Sequence, residues 1–317
     1  MNTDDLSARP FDVVGFGLNT LDLIAVIDGF PEPDTKVRFQ ELDIQGGGIV
    51  ATAMAACARL GLRTRYVGKV GGDFWSRLAL RSLSAEGIDV RHVIRMKGSP
   101  GQLGIVLADR STGERTILFR RPPSYSVRPE EITREAITAG RLLHVDSMDA
   151  AAALQAVKWA REASMRITMD GDRFVPGVEE VLSRVDLLVC NPRFLRTAAD
   201  RERLEEALQV LADRGPSRVA VTLAADGAQG YESGRWVRAP GFPVQVVDSN
   251  GAGDVFHGAC AFGELRGWPF DWVLTFASAV AAMKCRALGG RRGIPRLPEV
   301  AEFLTAVGRR DIAAALG

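Results

Sequence analysis

Short apolar runs alternate with longer stretches of helical periodicity along most of the chain. Residues 11–15, 65–68, 142–145, 166–170, 187–190 and 219–223 are runs rich in β-branched residues and leucine, the composition of strands. Residues 50–60, 75–86, 150–163 and 203–214 carry apolar positions at helical spacing; Gly61 and Gly87 stop the first two in the position that favours a left-handed turn. Strands separated by helices of this length predict right-handed crossovers and a mostly parallel sheet covered on both faces, an α/β arrangement.

Two pairs of segments break that rhythm. Residues 20–27 with 36–44, and 103–108 with 114–121, read as strands with no helix between them. Pro31 and Pro33 punctuate the first pair, and Ser111 to Gly113 turns the second. They predict a small β-sheet lid, over about 20–45 and 101–122, folded across the carboxyl edge of the main sheet. No repeat, low-complexity tract or Pro/Ser-rich linker intervenes, so residues 1–317 read as one domain with the lid inserted.

Composition narrows the class. Forty Lys and Arg against 39 Asp and Glu leave a net charge of +1, too small to drive non-specific binding to nucleic acid or anionic membranes. With 46% hydrophobic residues the chain can fill a core and is not disordered. Cys57, Cys190, Cys260 and Cys285 are widely spaced, as reduced thiols of a cytoplasmic protein would be. The acidic start, Met1 to Asp5, leads into no apolar segment of a secretory address, and the run 49–58 is half the length of ~20 residues that crosses a bilayer.

The strongest chemical signal is Asp248-Ser-Asn-Gly-Ala-Gly-Asp254, which follows a strand-like Val244 to Val247 and opens a helix of small residues. Gly251 and Gly253 can adopt backbone angles closed to other residues, so the N–H groups of Ala252, Gly253 and Asp254 can converge on an anion at a helix N-terminus. A carboxylate beside such an anion hole suits phosphoryl transfer to a hydroxyl, with Asp254 taking the proton. The same local pattern also fits an Asp that caps a helix.

This stretch resembles the second signature of the PfkB, or ribokinase-like, carbohydrate kinases, with Ser249 where the pattern has Thr. The first signature is matched by Gly46-Gly47-Gly48, the run into Ala58-Arg59-Leu60-Gly61, and Val67 to Asp73. The resemblance spans essentially the whole chain and implies a three-layer αβα sandwich with a mostly parallel central sheet and a β-sheet lid. It implies that Asp254 is the catalytic base, that Gly251, Ala252 and Gly253 form the anion hole, and that Asp22 binds sugar hydroxyls. Gly47 and Gly48 would lie beneath the sugar. Thr52 stands in place of the family's Asn.

On the nucleotide side, Val221-Thr222-Leu-Ala-Ala-Asp-Gly227 resembles the turn lining the ATP cleft, and residues 282–290, ending at Gly290, the helix and loop beside the adenine. Thr222, Gly227 and Gly290 are the nucleotide candidates, with Asn191 facing the phosphates. The family's Asn-x-x-Glu, which organises Mg²⁺, aligns with Asn191 to Phe194 and so lacks its acid. The resemblance also implies a monovalent cation, K⁺, held by Asp248, Ser249 and carbonyls of 285–291.

Several segments, among them Met169 to Asp172 and Gly289 to Pro295, resemble the branch with sulfofructose kinases and ketohexokinase-like members. The branch's sulfonate readers align with Lys36, Met148 and about Phe119, and the last two cannot donate to a sulfonate. Arg120 or Arg121, at the end of the second lid segment, can instead reach a carboxylate or phosphate on the sugar. Neutral sugar, sugar acid and sugar phosphate stay open, and a nucleoside kinase or a non-catalytic sugar-binding homologue are the alternatives.

A dinucleotide-dependent enzyme is excluded because Thr20 stands where Gly15-Phe-Gly17 would need a third glycine, and no P-loop pattern is present. Apolar residues of the lid (Leu21, Leu23, Ile24, Val37, Phe39, Ile105 and Val106) predict a homodimer formed through it.

Overall fold

The computed structural model describes residues 6–112 and 115–317. The amino-terminal acidic residues 1–5, and Gly113 and Glu114 of the expected second hairpin, lie outside them.

Eight strands form the central sheet. In spatial order these are Arg235–Ala239, Ala228–Glu232, Arg218–Thr222, Leu187–Cys190, Arg166–Gly171, Gly140–Asp146, Phe11–Phe16 and Thr64–Val67. The last six named are mutually parallel, and the first two add an antiparallel edge. Their sequences show why. Successive residues send side chains to opposite faces, and here both faces are buried, so the strands are almost continuously apolar. Val13, Leu142, Leu187 and Ala220 enter one core, and their neighbours Val14, Leu143, Leu188 and Val219 the other. Each such Val or Leu taken from water contributes about 1.5–3 kcal/mol.

The first core is covered by the helices Ile49–Arg59, Ala252–Leu265, Phe270–Lys284 and Leu297–Ala306, the second by Ala150–Glu162, Pro192–Ala199 and Leu204–Ala212 with shorter turns. This is the three-layer αβα sandwich expected from sequence. Helices Ile49–Arg59 and Ala252–Leu265 lie very close because Gly258 faces the Ala53 carbonyl and the Ala56 methyl, where a Cβ would sit 2.5 and 2.7 Å away. Among the described residues no helix is long and apolar enough to cross a membrane. All four cysteines are free and buried.

A separate four-stranded sheet has the order Glu41–Gly47, Thr20–Ile27, Leu103–Asp109, Arg115–Arg120. Its outer pairs are antiparallel, while Thr20–Ile27 and Leu103–Asp109 run parallel and knit the two hairpins together. Two expectations shift. The strand placed at 36–44 begins at Glu41, the partner of Val26, and residues 36–40 alternate like a strand yet lie exposed. Val244 to Val247 is not a strand; Val246 and Val247 are exposed and the Val247 N–H donates to the Cys285 carbonyl.

Strand order reverses between Phe11–Phe16 and Gly140–Asp146, since the chain moves outward from each in opposite directions. In open α/β sheets the crevice at the carboxyl ends of such a pair is where ligands bind. The segments leaving these ends carry Leu18 to Thr20 and Ser147 to Asp149, with Asp172 and Arg173 leaving the neighbouring strand Arg166–Gly171, and the small sheet starts directly from the first of them.

Candidate active site

At this crevice lies a cavity of about 160 Å³ lined by Leu18, Thr20, Asp22, Gly47, Gly48, Thr52, Asn250, Gly251, Asp254 and Gly290, with Phe119 among the rest. An extension of about 110 Å³ shares Leu18, Thr20, Ile49 and Phe119 with it and continues past Arg120, Arg121, Met148, Asp172 and Arg173. A wider depression along Phe30, Arg115, Thr116 and Ile117 holds no acid among its lining residues.

The fold thus brings together Asp254, Gly251, Asp22, Gly47, Gly48, Thr52 and Gly290, which are far apart in sequence. Each of the three consecutive glycines is required for a different reason. A Cβ on Gly46 would meet the Arg291 guanidinium at 2.3 Å, one on Gly47 the Asp22 carboxylate at 2.1 Å, and Gly48 has φ +90° at the start of helix Ile49–Arg59. Asp22 lies in register with Gln45 on one side and Gly104 on the other, and its Oδ1 accepts the Thr20 hydroxyl at 3.0 Å. Burial pushes its carboxyl above the usual range, partly opposed by the Thr20 hydrogen bond and the Arg291 charge.

Opposite stands the turn into helix Ala252–Leu265. The Asp248 Oδ1 accepts the Asn250 N–H at 2.8 Å, and Gly251 takes φ +74°. A Cβ on Gly251 would strike the backbone of Gly290 at 2.8 Å, whereas one on Gly253 meets nothing within 4 Å, so the helix N-terminus opens onto free space. The Ala252 N–H is engaged by the Ser249 carbonyl at 3.2 Å, which leaves Gly253 and Asp254 as the N–H groups of the first turn able to face an anion. Desolvation pushes the Asp254 carboxyl well up, reinforced by Asp170, Asp172 and Asp22 and opposed by Arg291.

Arg291, to which the sequence reading assigned no role, sits 5% exposed between these halves. Its Nη2 donates to the Gly47 carbonyl at 2.6 Å, its Nε to the Thr52 hydroxyl at 3.2 Å and its Nη1 to the Ser82 hydroxyl at 3.2 Å. Burial lowers its pKa to about 10, so it stays charged at neutral pH. Thr52 is therefore a support for Arg291 from below, its hydroxyl turned to the guanidinium. No local signal marks Arg291; it becomes visible only when residues 289–292 fold against Gln45 and the glycines. Behind Asp254, His257 Nε2 lies 2.9 Å from Asp170 Oδ2, and burial lowers the histidine's pKa to about 3. Asp146, raised to about 7 by burial, accepts the N–H groups of Leu18 and Met148 and ties the two loops at the sheet's reversal.

The other candidates are placed differently. Asn191 caps helix Pro192–Ala199: its Oδ1 accepts the Phe194 N–H at 2.7 Å while its amide donates to Asp172, so the whole side chain is engaged. Thr222 and Gly227 form the turn beyond strand Arg218–Thr222, with Gly227 at φ +87° against the Ala239 carbonyl; neither is among the lining residues above. Arg120 pairs with Leu103, on the sheet face opposite Phe119, and its Nη2 donates to the Gly101 carbonyl at 3.0 Å. Arg121 donates to both oxygens of Asp149, at 2.7 and 2.8 Å.

A family model described as pfkB family carbohydrate kinase matches residues 11–297. The chain belongs to this family. As a pfkB carbohydrate kinase it is a phosphotransferase acting on a hydroxyl group. It is 30% identical over 300 residues to an ATP-dependent ribose-1-phosphate kinase of Halopiger xanaduensis, covering 92% of this chain and 98% of the relative. A nucleoside kinase of Methanothermobacter thermautotrophicus is 26% identical over 93% of the chain and 96% of its own length. The solved structure of a candidate ribokinase from Agrobacterium tumefaciens superposes with a TM-score of 0.88 at 27% identity, covering 95% and 99% of the two chains. The kinase relatives named here are ribose-type and nucleoside kinases, and the narrower resemblance to sulfofructose and ketohexokinase-like kinases is not carried by them.

In this pfkB kinase Arg291 both fills hydrogen-bond acceptors under the cavity and supplies positive charge facing Asp22 and Asp254. Arg291→Met is expected to cost about 1–3 kcal/mol of stability in urea unfolding, from the buried acceptors left unpaired. The Asp254 carboxyl should also titrate at higher pH, followed by NMR, because its carboxylate form loses its opposing charge. An unchanged titration would show that Arg291 serves packing alone.

Proposed function

We propose that the cavity receives a hydroxyl of a small sugar or sugar derivative, which Asp254 deprotonates as it attacks the γ-phosphoryl group of ATP. One observation carries this reading: the Asp254 carboxyl opens on the cavity in the first turn of a helix whose N-terminus faces free space, with Asp22 and a backbone platform lining the same cavity. The N–H groups of Gly253 and Asp254, with Gly251 shaping the turn, are suited to the charge that develops on the transferring group. The proton passes from the acceptor hydroxyl to an Asp254 carboxylate oxygen as the new P–O bond forms and the bond to ADP breaks. A raised carboxyl pKa strengthens that base, and most of the acceleration comes from positioning.

The nucleotide's phosphates are read along Gly251, Gly253 and Gly290, with the base toward the turn bearing Thr222 and Gly227. Mg²⁺ bound to ATP supplies neutralisation of phosphate charge. Among the described residues no group of three or more His, Cys, Asp or Glu is placed to cage a metal ion, and buried Phe194 stands where the resemblance places an acid. The chain's residues therefore suit an ion carried by the nucleotide. The small sheet acts as the lid, excluding water that would hydrolyse ATP.

A second observation bears on the substrate. Arg120, Arg121 and Arg173 line the extension of the cavity. Arg121 is neutralised by Asp149, Arg120 is held by Gly101, and Arg173 stacks over Phe119 with its charge 3.6 Å from Asp172. An oxyanion on the sugar, phosphate or carboxylate, fits this end better than an uncharged group, with Arg173 the guanidinium best able to turn to it.

The lid also supports assembly. Ile44, Leu23, Ile105 and Leu118 form one cross-strand row on a face where Ile44, Ile105 and Leu118 are 42%, 39% and 57% exposed. We read it as the contact surface of a homodimer. Leu21, Ile24 and Val106, counted with that face from sequence, are buried and take no part in it.

Four outcomes are expected. Coupled ATP consumption against pentoses, hexoses, sugar acids, sugar phosphates and nucleosides should identify a substrate whose turnover falls about 10²–10⁴-fold in Asp254→Asn. The same variant should melt higher at neutral pH: a carboxyl whose pKa is raised by folding loses stability as pH rises through the window above its unfolded value, and Asn removes that penalty. Sugar binding without any turnover would point to a non-catalytic homologue. For a phosphate- or carboxylate-bearing substrate, Arg173→Met should lower kcat/KM roughly 10–100-fold more than for the matching neutral sugar; equal losses would remove the oxyanion reading. Light scattering of the native chain should give the mass of a dimer, and Leu118→Asp that of a monomer; a monomeric native chain contradicts the assembly.

A further inference from the structure

The resemblance to sugar kinases carries the expectation of K⁺ held by Asp248, Ser249 and carbonyls of residues 285–291. The donor set in this chain does not fit such an ion. Both Asp248 carboxylate oxygens accept backbone N–H groups, from Asn250 and Gly289, each at 2.8 Å. The Asp248 carbonyl accepts Lys284 Nζ at 2.8 Å. The Cys285 carbonyl accepts the N–H groups of Val247 and Asp248, at 2.8 and 3.2 Å. The Ser249 hydroxyl is bound by Arg115 Nη1 at 2.5 Å. Two cationic side chains thus approach the very groups that K⁺ would need, and their charge repels a second cation.

Lys284 is unusual in its own right. It is fully buried, at 0% exposure, and its acceptor is a backbone carbonyl rather than a carboxylate. Taking an ammonium out of water costs several kcal/mol unless other charge compensates. Here the compensation is local. Burial pushes the Lys284 pKa below the ordinary lysine value and Arg115 adds to that, while the Asp248 and Asp254 carboxylates favour the charged form; Lys284 also ends helix Phe270–Lys284, where free carbonyls carry partial negative charge. An environment that stabilises a desolvated point charge through carbonyl oxygens and nearby carboxylates is the environment of a bound monovalent ion.

We propose that the Lys284 ammonium is a built-in replacement for the monovalent cation, so that this kinase works without K⁺. Lys284 is a positioning residue. It grips the Asp248 carbonyl, and Asp248 in turn fixes the Asn250 N–H, the turn in which Gly251 adopts its left-handed angle, and the Gly289 N–H of the facing loop. The positive charge therefore holds together the two segments that form the phosphate end of the cavity.

The kinetic part of the test rests on the kinase reading; the melting part does not. At constant ionic strength, wild type in KCl and in tetramethylammonium chloride should show the same kcat and KM for ATP within about twofold, and the same melting midpoint. Lys284→Met should lose roughly tenfold or more in kcat in tetramethylammonium chloride. K⁺ or NH₄⁺ should then restore part of that loss and raise the melting midpoint of the variant without moving that of wild type. Several-fold activation or marked thermal stabilisation of wild type by K⁺ would overturn the proposal, and neither measurement depends on the variant folding. A folded Lys284→Met protein indifferent to both ions would likewise overturn the equivalence of ammonium and ion. If no compound in the panel is phosphorylated, the kinase reading fails while the melting comparison still decides this one.

Discussion

Arg291 keeps a full positive charge inside the protein, a few ångströms from a carbonyl of the glycine platform and facing Asp22 and Asp254. Several acids converge on this sheet edge: Asp22, Asp146, Asp170 and Asp254 are all pushed upward by loss of water. Left alone, they would take up protons or open the crevice to solvent. The guanidinium is satisfied by neutral acceptors, not locked in an ion pair with one carboxylate, so its field reaches Asp22 and Asp254 together. Gly46 is the sequence's accommodation of that side chain, since any Cβ there would occupy the place of Nη1.

The layers were readable because burial on both faces imposes a simple pattern. Leu187 to Cys190 is apolar at every position, and helix 150–162 follows its periodicity closely. Reading failed where a strand-like pattern lacks a partner. Lys36 to Gln40 alternates polar and apolar residues, but the ladder with Val26 begins only at Glu41. Val244 to Val247 has β-branched residues, yet what it meets is the end of helix Phe270–Lys284. Propensity describes a residue's preference, whereas a strand needs a neighbour with free N–H and carbonyl groups.

The candidate site divides along the same line. Gly251 to Asp254 was legible because the turn, its left-handed residue and its acid are consecutive. The glycines were legible through a second local motif, and Asp22 only through the resemblance of the whole chain. Arg291, Lys284 and Asp146 were not, since their meaning comes from the carbonyls and hydroxyls they meet across the fold. Asn191 shows the converse: its motif was visible, but capping helix Pro192–Ala199 and binding Asp172 account for all of its amide.

The parallel pairing of Thr20–Ile27 with Leu103–Asp109 also bears on how the molecule assembles. Leu21 pairs with Leu103, and between them the chain must build a hairpin, the helices Ile49–Arg59 and Phe74–Ala85, and the strand Thr64–Val67 at the margin of the main sheet. Contacts this remote carry a large loop-closure entropy before they return any stabilisation, and such pairings form slowly. The pairing is therefore expected to be among the slower contacts to form. Until then the exposed aliphatic row, Ile44, Ile105 and Leu118, lies open to other chains, so this face of the small sheet is the part most open to misassembly during synthesis.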